Sequence, residues 1–382
     1  MTSDVKARMA VPLSRPWITD ADIEAVLEVL RTPTLSIGPK VREFERAISA
    51  YTGVAEAVAV NSGTSGLHIS LAAAGVGPGD EIITSPFSFV ASANCAIYQG
   101  ARPVFVDIEP DTLNIDPDKI EAAITSRTKA IIPVDVFGQP ANIEAIVEIA
   151  QRYGLAVVQD ACEAIGAERN GRRVGSYPGV TSAVFAFYPN KQMTTGEGGV
   201  VVTDDPEFAK VLRSLANQGR DDAGTWMNHV RLGYNYRLDE MSAALGCSQM
   251  ARLDGILERR AQVSRWYAES FADVAGVKAP YVSAVTTRMS WFVYVIRIAE
   301  SIDRDALIPR LMDEGVPVRP YFVPIHVQPY YREQYGFMGG EFPVTEEASQ
   351  RTLAIPFFTE MTKSQVDYIV DTIARVTGDM RA

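Results

Sequence analysis

Eight lysines occur in the 382 residues, and one stands apart. Lys6 is in the N-terminal tail, Lys119, Lys210 and Lys363 fall in amphipathic helical patterns, and Lys40, Lys129 and Lys278 occupy loop-like segments. Lys191 instead sits in FAFYPNKQMTTGEGG, between two apolar strand-like runs and beside a glycine turn. An amine held among apolar groups has a depressed pKa and attacks carbonyl compounds; a surface lysine that snorkels fits the same context. Asp160 closes the run LAVVQD, so its carboxylate emerges at the carboxyl end of a strand, where α/β proteins place groups that touch ligands. A helix cap is the ordinary alternative. The third element is NSGTSGLH, Asn61 to His68, where an apolar run meets a Gly/Ser/Thr turn and a helical pattern follows at once. Backbone N–H groups and small hydroxyls converge there at the positive end of a helix dipole, which suits an anion; a plain Ser/Thr N-cap reads alike.

Taken together, an anion turn, a carbonyl-reactive lysine and a carboxylate able to keep a pyridinium nitrogen protonated suggest pyridoxal 5'-phosphate, PLP. Phe87 and Phe89, in SPFSFVASAN, add rings able to stack on a flat heterocycle, although core packing is the default for either. No GxxxxGK occurs, and GVGPGD at Gly75 to Asp80 is not GxGxxG, so nucleotide binding lacks its usual signature.

Positioning such groups requires a sheet. Between about residues 55 and 205 the chain repeats a short apolar run, a turn cluster and a helical pattern: Ala57 to Val60, Glu81 to Thr84, Pro103 to Ile108, Ala130 to Phe137, Leu155 to Asp160, Ala183 to Phe187 and Gly199 to Asp204. Runs without polar alternation suit strands buried on both faces, so about seven strands of a mostly parallel sheet, covered by helices, make one large α/β domain. An N-terminal helix starts at Thr19, with Asp22 as its capping partner, and Ile23, Val26, Leu27 and Leu30 form an apolar face expected to pack on the body. From Met241 the pattern is helical through Arg260, then strand-like at Phe292 to Ile298, Val316 to Phe322 and Leu353 to Phe358. The expected division is a large domain over 1–249 and a smaller α+β domain over 250–382.

Composition excludes several classes. With 47% apolar and 22% charged residues the chain can build a full core. Its net charge of −11 repels a phosphate backbone, so no nucleic-acid partner is expected. No apolar run approaches the roughly 20 residues of a membrane helix. The opening MTSDVKARMA carries Asp4 where a signal peptide would be apolar, giving the expectation of a cytoplasmic protein without a membrane partner. Three cysteines, Cys95, Cys162 and Cys247, with no CxxC pair suggest neither a disulfide framework nor a metal site.

The ordered set NSGTSGL, PFSFVAS, QDACEAIGA, FAFYPNKQMTTGEGG, LGYNYRLDEMSAALG and RPYFVPIH resembles the fold-type I, PLP-dependent aminotransferases that act on keto sugars, usually nucleotide-linked, including perosamine synthase. The resemblance runs from Val11 to about residue 358. It implies that Lys191 bonds the cofactor as a Schiff base and later moves protons, that Asp160 pairs with the pyridine nitrogen, and that Gly63, Thr64 and Ser65 hold the phosphate. It implies too that Phe89 stacks on the ring and that Glu163 lies near the cofactor or sugar. By the same resemblance Asn235 would reach the cofactor of a neighbouring subunit, in a homodimer with shared sites. His326, Arg237 and Arg319 become candidates for the sugar, the nucleotide diphosphate or the donor carboxylate.

The chain departs from that pattern in places. Ala186 stands where many relatives have a phosphate-binding serine, Ser242 where glutamine is frequent, and the usual histidine is absent around Ser290 to Phe292. The implied reaction has two halves, in which L-glutamate converts PLP to its amine form, PMP, and that form aminates a keto sugar. TTGEGG resembles enzymes that aminate C4 more than those that aminate C3, whose turn commonly reads GDGG. An aminocyclitol aminotransferase and a ligand-sensing regulatory protein of the same fold are the alternatives.

Overall fold

The computed structural model describes residues 9–221 and 228–381, so Asp4 and Lys6 lie outside the described residues. The strands are β1 (Glu56–Val60), β2 (Glu81–Thr84), β3 (Arg102–Phe105), β4 (Thr128–Ile132), β5 (Ala156–Asp160), β6 (Glu168–Arg169), β7 (Arg172–Arg173), β8 (Ser182–Ala186), β9 (Gly199–Thr203), β10 (Val277–Lys278), β11 (Thr286–Arg288), β12 (Tyr294–Ile298) and β13 (Thr352–Ile355). The α-helices are α1 (Asp20–Leu30), α2 (Pro39–Thr52), α3 (Gly63–Ala73), α4 (Ala91–Tyr98), α5 (Ile143–Tyr153), α6 (Pro206–Ala216), α7 (Glu240–Met250), α8 (Leu253–Phe271), α9 (Arg304–Asp313), α10 (Pro329–Tyr335), α11 (Pro343–Arg351) and α12 (Lys363–Arg381).

Seven strands form one sheet in the order β1-β9-β8-β5-β4-β2-β3. All its neighbours pair in parallel except β9, which runs antiparallel to both β1 and β8. The expected architecture is therefore the observed one: β2 and β9 are buried at every residue, as strands covered on both faces must be. Because β9 is reversed, its first residue, Gly199, pairs with the last residues of β1 and β8, Val60 and Ala186. Five chain segments thus meet at one edge: the ends of β1, β2, β5 and β8 and the start of β9.

A second antiparallel sheet, β10-β12-β13, carries a separate core with α8, α9 and α12, in which Tyr267, Tyr294, Leu311 and Ile369 are almost fully enclosed. Helix α8 joins the two cores. Leu253 and Leu257 pack with the large sheet, whereas Val263, Tyr267 and Phe271 pack with the small one. The N-terminal segment also reaches the small core, through Val11.

Three expectations are corrected. The apolar face of α1 does not pack on the body of this chain: Ile23, Leu27 and Leu30 are exposed. Its opposite side holds it, where Asp22 is fully buried and accepts hydrogen bonds from Ser248, Gln249 and Arg252, so that polar pairing anchors the helix. The helical pattern from Met241 to Arg260 is two helices, broken at Ala251–Arg252. Residues 316–322 form no strand, contributing only an isolated bridge between Arg319 and Ala354. Among the described residues no helix is long and apolar enough to cross a membrane.

Candidate active site

A cavity of about 340 Å³ opens at the sheet edge where the five segments meet. Its wall includes Gly63 and Thr64, Phe89, Asp160, Glu163, Ala186 and Lys191, so six residues singled out in the sequence converge with the alanine that departs from the expected pattern. β1 delivers the turn into α3. Ser62 caps that helix by accepting the N–H of Ser65 at 3.1 Å, and the first-turn N–H groups at Gly63 and Thr64 are ones a helix cannot bond internally. Gly63 is required by packing: a Cβ there would lie 2.7 Å from Cys162 Sγ and 2.8 Å from Ala186 Cβ.

Asp160 ends β5 and is buried. Its Oδ2 accepts the Ser92 hydroxyl at 2.6 Å, and its Oδ1 accepts the Cys162 N–H at 3.2 Å. Lys191 lies in the turn between β8 and β9. Its Nζ is 3.5 Å from Glu163 Oε1 and 3.8 Å from the centre of the Phe292 ring. Glu163 is itself fixed, Oε2 accepting the Phe137 N–H at 2.9 Å. Burial pushes the Glu163 carboxyl above its usual range, with Lys191 opposing the shift. Burial and the nearby Asp160 raise the Cys162 thiol well above its ordinary value, which keeps it an uncharged wall residue rather than a nucleophile.

The far wall comes from the C-terminal half, as Phe292, Tyr321 and Phe322. Phe292 follows Ser290, whose hydroxyl donates to Ile165 O at 2.6 Å and accepts from Gln192 Nε2 at 2.8 Å. Arg260 of α8 holds the same segment by donating to Trp291 O at 2.6 Å and Phe292 O at 2.7 Å. Burial, with Glu163 nearby, pushes the Tyr321 phenol up to about 12, so it faces the cavity as a neutral donor.

The other sequence candidates lie elsewhere. Ser65 is not a wall residue: its hydroxyl donates to Asn61 Oδ1 at 2.6 Å, and Ser62 is the turn serine that reaches the cavity. His326 is fully buried between Phe337 and Phe342 and bonds Glu346 at 3.0 Å, which makes it a core histidine. Arg237 bonds Asn217 at 3.0 Å, and Arg319 bonds the Val318 carbonyl at 3.0 Å, both outside the cavity wall. Asn235 is exposed, between two tyrosines that pack on His68 with ring centres 4.6 Å and 5.8 Å away. Tyr236 OH lies 3.0 Å from His68 Nδ1, and burial depresses that imidazole to about 4, keeping it neutral.

The donor set fits PLP: one amine for its aldehyde, one buried carboxylate for its ring nitrogen, and a glycine-tight helix start for its phosphate. Sequence reasoning missed Ser62, Ser88, Ser92, Tyr188, Asn190, Phe292, Tyr321 and Phe322. The run SFVAS carried a signal for the serines, since Ser88 and Ser92 are spaced i,i+4. The C-terminal aromatics carried none, because contacts between distant segments leave no local pattern.

Residues 16–374 match the DegT/DnrJ/EryC1/StrS aminotransferase family. The chain is 39% identical over 376 residues to the spore coat polysaccharide biosynthesis protein SpsC of Bacillus subtilis (strain 168), covering 95% of this chain and 96% of that protein. Its fold superimposes on S. venezuelae DesV, solved in complex with a ketimine intermediate, with a TM-score of 0.88, 33% identity and coverage of 96% and 98%. It also superimposes on Spr1654 of Streptococcus pneumoniae, solved in PLP and PMP forms, with TM-scores of 0.92 and 0.91, 28% identity and coverage of 97% and 100%.

Proposed function

The chain belongs to the DegT/DnrJ/EryC1/StrS aminotransferase family, as a PLP-dependent sugar aminotransferase of fold type I, and we propose that it moves an amino group from L-glutamate to a nucleotide-linked 4-keto-6-deoxy sugar. One observation carries this reading: the Lys191 amine, the Asp160 carboxylate and the Gly63–Thr64 helix start all face one cavity. When bound, PLP supplies the electron sink for removing an amino group from one carbon and adding it to another.

The chain's residues do the rest. Lys191, held between Glu163 and Phe292, presents Nζ to the cavity, where it bonds the cofactor and carries protons. Asp160 keeps a proton on the ring nitrogen, being hydrogen-bonded on both oxygens. Gly63 and Thr64 receive the phosphate, beside Ser62 on the same wall, whose hydroxyl pairs with Ser65. Phe89, 63% exposed at the mouth, covers the ring, and Glu163 and Tyr321 face the sugar. In this reading residues 1–249 hold the cofactor and 250–382 form the smaller domain that closes the cavity with aromatic rings. The active unit is a cytoplasmic homodimer in which Asn235 reaches the neighbouring site, since Tyr234 and Tyr236 turn inward around it.

Purified protein loaded with PLP, given L-glutamate and then a panel of keto-sugar nucleotides, tests the reading by mass spectrometry. Replacement of the keto oxygen by an amine on a 4-keto-6-deoxy nucleotide sugar, with 2-oxoglutarate released, is the expected result. Amination of unlinked sugars or cyclitols alone would overturn it.

A further inference from the structure

The hydroxyl that serves Asp160 Oδ2 belongs to a pair of serines. Ser92 Oγ, at the second residue of α4, lies 2.6 Å from Asp160 Oδ2, 2.7 Å from Ser88 Oγ and 3.3 Å from Phe89 O. Ser92 is fully buried, and Ser88 and Asp160 nearly so. A hydroxyl has one hydrogen to give. Of the three acceptors around Ser92, the carboxylate is both the nearest and the only one that ionises, so the hydrogen goes to Asp160. Ser92 Oγ then accepts from Ser88, which fixes the direction of donation as Ser88 to Ser92 to Asp160. Each donor in such a chain polarises the next.

We propose that Ser88 and Ser92 are positioning residues that set the orientation of Asp160. This rests on Asp160 serving the cofactor ring nitrogen. The backbone N–H of Cys162 fixes one carboxylate oxygen and the serine relay the other, so the side chain is held in one orientation. Without the relay one carboxylate oxygen loses its fixed donor, and the orientation of Asp160 toward the ring nitrogen is no longer set. Ser88 also lies on the cavity wall, so the relay begins at the surface the cofactor occupies.

The test uses the PLP-loaded protein with Ser92→Ala, Ser92→Thr, Ser88→Ala and Asp160→Asn, and cofactor labelled with ¹⁵N at the ring. Ser92→Ala should lower kcat by about tenfold or more, the worth of one hydrogen bond to a charge, with KM for both substrates little changed. Its ring ¹⁵N signal should move toward that of the unprotonated nitrogen in Asp160→Asn. Ser92→Thr, which keeps the hydroxyl, should restore both, and Ser88→Ala should move both less. A wild-type ¹⁵N signal and kcat in both Ser92→Ala and Ser88→Ala, while Asp160→Asn changes them, would overturn the relay alone. A wild-type signal in Asp160→Asn would instead overturn the role of Asp160 on which it stands.

Discussion

Lys191 Nζ lies 3.8 Å from the centre of the Phe292 ring, a contact between a turn of the large sheet and the strand edge of the small one. The phenyl face attracts the ammonium and keeps water from that side, while Glu163 holds the other at 3.5 Å. Phe292→Leu keeps the apolar volume and removes the ring face. It should fold normally and lose about fivefold in kcat/KM, the equivalent of roughly 1 kcal/mol for a partly desolvated cation–ring contact. Steady-state kinetics beside a thermal melt check this, and a drop in melting temperature as large as the drop in rate would show packing instead.

Lys191→Ala should abolish borohydride-reducible capture of PLP, and Asn235→Ala should weaken PLP retention through the partner's site. Mixed subunits of the two should regain activity, because one site of each heterodimer then joins an intact Lys191 to an intact Asn235. Absence of complementation after confirmed subunit exchange would place Asn235 outside the shared site.

Gly63→Ala puts a methyl group 2.7 Å from Cys162 Sγ and 2.8 Å from Ala186 Cβ, closer than packed carbons approach. The wall must shift, and the helix start proposed to receive the phosphate shifts with it. PLP affinity, read by fluorescence titration, should fall at least about tenfold, which corresponds to the lower end of an overpacking cost of ~1–3 kcal/mol.

Asp22 governs a pH dependence of stability. Burial alone would raise its carboxyl, but hydrogen bonds from Ser248 and Thr19 and the charge of Arg252 outweigh it, and the group is held below its ordinary value of 3.8. A depressed carboxylate contributes stability that is present above its unfolded value and is lost as pH falls through its folded value. Asp22→Asn should therefore lower the melting temperature at pH 7, leaving Arg252 facing a neutral amide, and flatten the fall in stability between about pH 5 and pH 3. Melts across that range decide it; parallel curves for the two proteins would refute the linkage.

The large sheet was legible because strands buried on both faces are continuous apolar runs, and the turns after β1 and β5 and before β9 bring their short polar motifs to one cavity. Thus Lys191, Asp160, Gly63 and Thr64 could be picked out before any fold was known. Ser65 was legible as a turn residue but not as one whose hydroxyl is taken by Asn61, since neighbouring serines differ only in which way the cap turns. His326 shows the converse: a histidine in a familiar motif that Glu346 and two phenylalanines hold in the core. The face of α1 misled for a physical reason. Ile23, Leu27 and Leu30 stay exposed among the described residues, while the side that anchors it carries an aspartate.

Helix α8 is one unbroken rod of 19 residues, about 28 Å long, rooted at one end in the large core and at the other in the small one. A swing of one core away from the other would have to bend this helix and draw Arg260 from the carbonyls of Trp291 and Phe292. Phe89 and Tyr188, which line the cavity and stand exposed, are side chains that can widen it without moving either core. Rotamer changes of exposed side chains take picoseconds to nanoseconds, well ahead of the microsecond-to-millisecond swing of a domain lid.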